Sequence, residues 1–175
     1  MPLAARIGCV ALLAAAIVGG GAVGRAPAAA SPRAPRDAAH DAALGRRLVT
    51  RFWNLSHEQD VAGLHAFLSP AFQVQRFDGS GAGRAAFLRS IGTTLIISEF
   101  RLTSFKVTRY DGVLVARFIA RTTQIVHGVL YSSAPAPRLE TFHLAGARWE
   151  MTSNSNFNAP AAAKPAAPKF AVPSI

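Results

Sequence analysis

From residue 37 to residue 55 the apolar positions recur at helical spacing. Leu44, Leu48, Phe52 and Leu55 stand at i, i+4, i+8 and i+11, Val49 and Trp53 widen the stripe, and Arg46, Arg47 and Arg51 take other faces. This predicts a first helix. Asp60 precedes a second such pattern, Val61, Leu64, Phe67 and Leu68, where its carboxylate can accept from the free N–H groups of the first turn. Pro70 ends that pattern, so the second helix is short, residues 61–68. Residues 71–77 alternate as a short strand, and residues 78–83 follow as a loop with glycine at 79, 81 and 83. No Lys-Ser/Thr pair comes after those glycines, which excludes a phosphate-binding P-loop. Residues 84–91 predict a third helix with Phe87, Leu88 and Ile91 inward.

Beyond Leu95 the period changes to two. Residues 99–109 predict a strand, and Asp111-Gly112 is a hairpin signal. Residues 113–131, rich in β-branched side chains, are one long bent strand or two. Pro135 and Pro137 assign residues 132–137 to a loop, because proline cannot serve a central ladder. Residues 138–144 and 148–153 are the last two strands, joined by a turn at 145–147.

The two ends follow a different logic. Arg6, the uncharged run 7–18, three glycines at 19–21 and Ala28-Ala29-Ala30 before Ser31 make residues 1–30 a secretion signal. The run is shorter than the ~20 residues of a spanning helix. A retained N-terminal anchor is the alternative. Residues 31–36 are then a short linker, 37–158 the folded domain and 159–175 a Pro/Ala-rich disordered tail. The expected location is secreted or in the cell envelope. The only cysteine, Cys9, falls inside the signal, so a chain starting at Ser31 has neither disulfides nor thiol chemistry. Net charge is +10 and becomes +8 once Arg6 and Arg25 leave with the signal. That balance favours weak contact with an anionic membrane or cell-wall surface. The arginines are scattered, with no run longer than Arg46-Arg47 and no aromatic-basic interleaving, so nucleic acid is not an expected partner.

In order and spacing, three segments together resemble one known group. They are RFWNLSHEQDVAGLHAFLSPAFQVQ at 51–75, GRAAFL at 83–88 and RWEMTSNSNFN at 148–158. Over residues 37–158 the chain resembles the nuclear-transport-factor-2-like superfamily, particularly its SnoaL-like bacterial members. The resemblance implies an α+β domain, a cone-shaped curved antiparallel sheet packed on N-terminal helices, with a mouth that holds a small molecule. Function does not follow, since the superfamily contains enzymes, binders and assembly modules.

Ketosteroid isomerases share that architecture and need a carboxylate base and an acidic hydrogen-bond donor. Aligned through Asp60, their tyrosine falls on Phe52, which cannot donate, and their aspartate base falls on Arg76, which cannot abstract a proton. Among the nine acidic residues, Asp60 reads as a cap and Asp78 and Asp111 as turn residues. Glu140 and His143 are the best remaining pair, yet spacing three on a strand sends them to opposite faces. Glu140 and His127 can meet only if strand register allows. His40, His57 and His65 read as exposed, His127 and His143 as strand residues facing a cavity. No metal-ligand spacing occurs, so neither metal nor cofactor is expected. Trp53, Tyr131 and Trp149 read as core or rim aromatics, and Asn154, Asn156 and Asn158 as hydrogen-bonding groups at the exit of the last strand. The candidate ligand pocket is Phe52, Trp53, Phe72, His127, Tyr131, Glu140 and His143.

The sequence is therefore read as an exported domain, leaning away from catalysis, whose apolar cavity binds a small apolar ligand or serves an interaction. Two alternatives stay open. One is a cyclase, dehydratase or hydrolase using a cavity His/Glu; the other is a homodimeric structural or assembly module.

Overall fold

The first helix, α1, runs Pro35–His57 in a computed structural model that describes residues 35–76 and 78–157. The expected signal, most of the linker, Phe77, Asn158 and the tail lie outside the described residues. All described residues fall in one unit, Arg33–Ile175. The predicted stripe is the buried one: Leu48, Val49, Phe52 and Trp53 are buried, with Leu44 and Leu55 packed against them. At Gly45 the helix comes so near the sheet that a Cβ would stand 2.7 Å from both methyls of Val107.

Helix α2 is Val61–Phe67, and Asp60 caps it by accepting from the Gly63 N–H at 2.8 Å. Strand β1, Leu68–Gln75, begins at once and carries Pro70 on an exposed position, so the proline marks a strand start rather than a break. Helix α3 is Arg84–Ser90. The meander is β3, Leu95–Tyr110; β4, Val113–Val126; β5, Val129–Ser132; β6, Ala136–Ala145; and β7, Arg148–Asn156.

Three expectations change. Residues 78–83 are not all loop, because Gly81–Gly83 form β2 and pair antiparallel with β1; side chains signal nothing there, and the pairing is made by backbone alone. Residues 113–131 are two strands, split by a turn in which His127 and Gly128 have φ of 49° and 79°. That double positive φ is what a tight hairpin turn needs. His127 thus stands in a turn, not in a strand. Pro137 is the second residue of β6, opposite Ile119, where the ladder is only starting.

The seven strands form one curved sheet in the order β2-β1-β7-β6-β4-β3, with β5 paired to β4. It is mixed rather than antiparallel throughout, since β1 runs parallel to β7. Register shifts interrupt β3 between Ile97 and Glu99 and between Thr103 and Lys106, and a third lies between Thr141 and Phe142 where β6 meets β7. Such bulges bend a strand and increase its twist, which curls the sheet toward the helices.

The inner face carries Leu114, Ala116, Phe118 and Ala120 of β4 and Phe142 of β6, all fully buried. Phe118 lies edge-on to Trp53 and stacks on Phe105 at 5.3 Å between centroids. The third bulge also resets the alternation of β7. Met151 is buried before it, and Asn154 is buried after it, so an odd-numbered inner face becomes an even-numbered one.

Candidate functional site

Alternation on β6 sends Ala136, Arg138, Glu140 and Phe142 inward and Pro137, Leu139, Thr141 and His143 outward. Two charged side chains therefore enter the interior two residues apart. Glu140 is wholly buried. Its Oε1 accepts from the indole N–H of Trp53 and from the Asn154 amide, both at 2.9 Å, while Oε2 has no hydrogen-bond partner among the described residues. Burial drives the Glu140 carboxyl well above its ordinary value, against the pull of those two donors and of the Arg138 charge. Burial thus favours the protonated form of Glu140.

Arg138 is only 4% exposed. Its Nη1 donates to the Asn156 side-chain oxygen at 2.5 Å and to the Pro137 carbonyl at 3.2 Å. Loss of hydration lowers it to about 10, with the Glu140 charge acting the other way, and it stays a cation at neutral pH.

Arg138, Asn154 and Asn156 form one wall of a cavity of about 120 Å³. Phe52 and Trp53 of α1, Phe87 of α3 and Leu95 and Ile97 of β3 supply apolar lining. Gln75, Arg76, Gln124 and His127 add polar groups. The cavity thus carries polar groups of the sheet within a largely apolar lining, where sequence reasoning expected an apolar hollow. No acidic side chain lines it among the described residues.

The candidate residues separate into groups. Phe52, Trp53 and His127 line the cavity. Phe72 is core behind it, in contact with Phe52 and Phe87 at centroid distances of 6.4 and 5.3 Å. Glu140 sits behind its two donors and does not line the space. Tyr131 is partly buried opposite Gln124 on β5 but is no part of the lining. His143 is on the outer face, opposite Val113 and Glu150, so it cannot face a cavity. The hoped-for convergence of Glu140 with His127 or His143 does not occur: Glu140 pairs across to Ala116, while His127 lies in the β4–β5 turn.

Arg138 was missed. Its place two residues before Glu140 on a strand was the available signal, since period two puts both on one face. The inward aim of Asn156 carried no such signal, because the bulge reverses the alternation.

No family model matches the chain, and no curated protein does. Solved structures do. An NTF2-like protein from Cytophaga hutchinsonii has 9% identity and a TM-score of 0.62, covering 73% of this chain and all of that one. An NTF2-like protein from Rhodospirillum rubrum, described as of unknown function in nutrient uptake, has 14% identity and a TM-score of 0.60, over 65% of this chain and 97% of that one. The association domain of C. elegans CaMKII has 8% identity and a TM-score of 0.56, over 70% and 98%. The chain has the nuclear-transport-factor-2-like α+β fold.

Proposed function

We propose that this is an exported SnoaL-like domain that binds a small molecule in the cavity between α1, α3 and the inner sheet face, without catalysing a reaction. The observation that carries it is the cavity itself: about 120 Å³, with aromatic and hydrogen-bonding side chains together in its lining. A dry cavity of ~150 Å³ is known to hold a benzene-sized molecule, so the space suits a compact ligand. The non-catalytic part is supported by Phe52 and Arg76, which line the cavity where the isomerase resemblance needs a donor and a base. It is supported too by Glu140, whose hydrogen-bonding partners are an indole and an amide rather than a histidine.

Native mass spectrometry of protein purified from its own host tests the binding. A bound mass lost on denaturation is expected; a consistently empty protein that also takes up no small probe would end the reading. Export is tested by the N-terminal sequence of the recovered protein, expected at Ser31. A chain starting at Met1 or Pro2 in the cytoplasm refutes it.

A homodimer is the second reading, prompted by the likeness in fold to association domains. Charge restricts where the copies could meet. On the outer face Arg101 stands opposite Arg121 and Lys106 opposite Arg117, all exposed and without an ion-pair partner among the described residues. Like charges facing each other resist a self-complementary contact, so a dimer would centre on β6 and β7. The same four cations suit weak, salt-sensitive contact with an anionic membrane or cell-wall surface. Light scattering separates monomer from dimer.

A further inference from the structure

Arg138 holds a guanidinium in the interior with three of its five N–H donors making no hydrogen bond to a described residue. Nη1 is taken by Asn156 and Pro137, but Nε and Nη2, which form the side-on fork of the group, make no hydrogen bond to any described residue. The residue lines the cavity at 4% exposure. An interior cation with a free planar fork is stabilised best by an anion that accepts two parallel hydrogen bonds. Surrounding groups reinforce this: Arg76 and His127 also line the space, and Gln75, Gln124, Asn154 and Asn156 are neutral. Glu140, the acid nearest along β6, does not line the space, and its burial favours the neutral carboxyl over the carboxylate that would compete for the guanidinium.

We propose that the cavity binds a small organic carboxylate, its two oxygens on the Nε and Nη2 donors of Arg138 and its apolar remainder against Phe52, Phe87 and Leu95. This deepens the binding reading above and rests on it. The volume restricts the remainder to a short branched chain or a single ring. A bare inorganic anion would leave the aromatic wall uncovered, and a neutral molecule would leave the fork unpaired.

The test uses the full mature chain with Trp149→Phe, which makes Trp53 the single indole. Its indole N–H signal in a nitrogen-15 correlation spectrum reports on the cavity, because Trp53 lines the space and its N–H bonds Glu140. Isovalerate and its neutral isostere isovaleramide are titrated, with chloride and phosphate as competitors. Isovalerate is expected to bind about ten-fold tighter than the amide, as one charge-assisted pair predicts. In Arg138→Met that preference disappears while amide binding persists. Arg138→Gln and Arg138→Lys provide folded alternatives should the methionine variant not fold; glutamine is expected to abolish the preference and lysine to retain part of it. Equal binding of acid and amide to the parent protein overturns the carboxylate proposal and leaves the binding reading standing. Displacement by chloride or phosphate as effective as by isovalerate also overturns it. No shift with either probe brings down both.

Discussion

Replacing Glu140 by glutamine changes one oxygen for an amide nitrogen at a position with no exposed surface. The acceptor used by Trp53 and Asn154 survives the change. What disappears is the titration. In the unfolded chain Glu140 ionises around its ordinary value of 4.5; in the fold, burial holds the proton to considerably higher pH. Because the folded-state value is the raised one, the contribution to stability is complete below 4.5 and declines as pH climbs toward the folded-state value. Between the two the unfolded state binds one proton fewer, so wild-type stability falls by roughly 1 kcal/mol per pH unit relative to the variant. The glutamine carries an extra unpaired donor near the site of Oε2, a penalty of about 1–3 kcal/mol that does not vary with pH. The slope, not the offset, is therefore the readout. Urea denaturation of both proteins at pH 5, 6 and 7 measures it, and subtraction cancels every other titrating group. Parallel stability curves for the two proteins across that range would refute an upward shift of Glu140 on folding.

Phe118→Ala removes a fully buried ring that touches Trp53 and Phe105, and a loss of about 3–5 kcal/mol is expected in denaturant titration. A loss below ~1 kcal/mol would mean that the core is not built around it. Asp60→Ala removes the acceptor for the Gly63 N–H and is expected to cost about 1 kcal/mol, with Asp60→Asn restoring most of it. Gly45→Ala places a methyl 2.7 Å from both Val107 methyls. Although alanine favours a helix over glycine by ~1 kcal/mol, the net expectation is destabilisation of about 1–3 kcal/mol, relieved when Val107→Ala is added. A more stable Gly45→Ala protein would contradict the close approach of helix and sheet.

How far the sequence revealed this architecture depends on what kind of force shaped each part. The stripe of α1, the Asp60 cap, the Asp111-Gly112 turn and the period-two β6 were readable because each is set by local chemistry or simple alternation. β2 was invisible, since Gly81–Gly83 pair through backbone with no side-chain pattern. The parallel β1–β7 contact was equally hidden, because it joins segments far apart in the chain. At the site, Phe52 and Trp53 were legible as the inward face of a helix, and the separation of Glu140 from His143 followed from strand alternation. His127 was expected in the cavity but on a strand, and Tyr131 was expected in the lining; one turn, at His127-Gly128, decides where each residue lies. Arg138 went unremarked since arginine is ordinarily a surface residue, and only its neighbour's parity argued otherwise.

The place of β7 between β1 and β6 has a consequence for how this chain is made. Trp53 and Glu140 are 87 residues apart, and Leu68 waits for Met151. A nascent polypeptide that has emerged only to Ala145 gives β1 no strand to pair with except the short β2. Glu140 then lacks Asn154, and Arg138 lacks Asn156. Both ionisable groups can be enclosed favourably only after the final strand is synthesised, and any truncation ahead of Asn156 leaves a half-built cup.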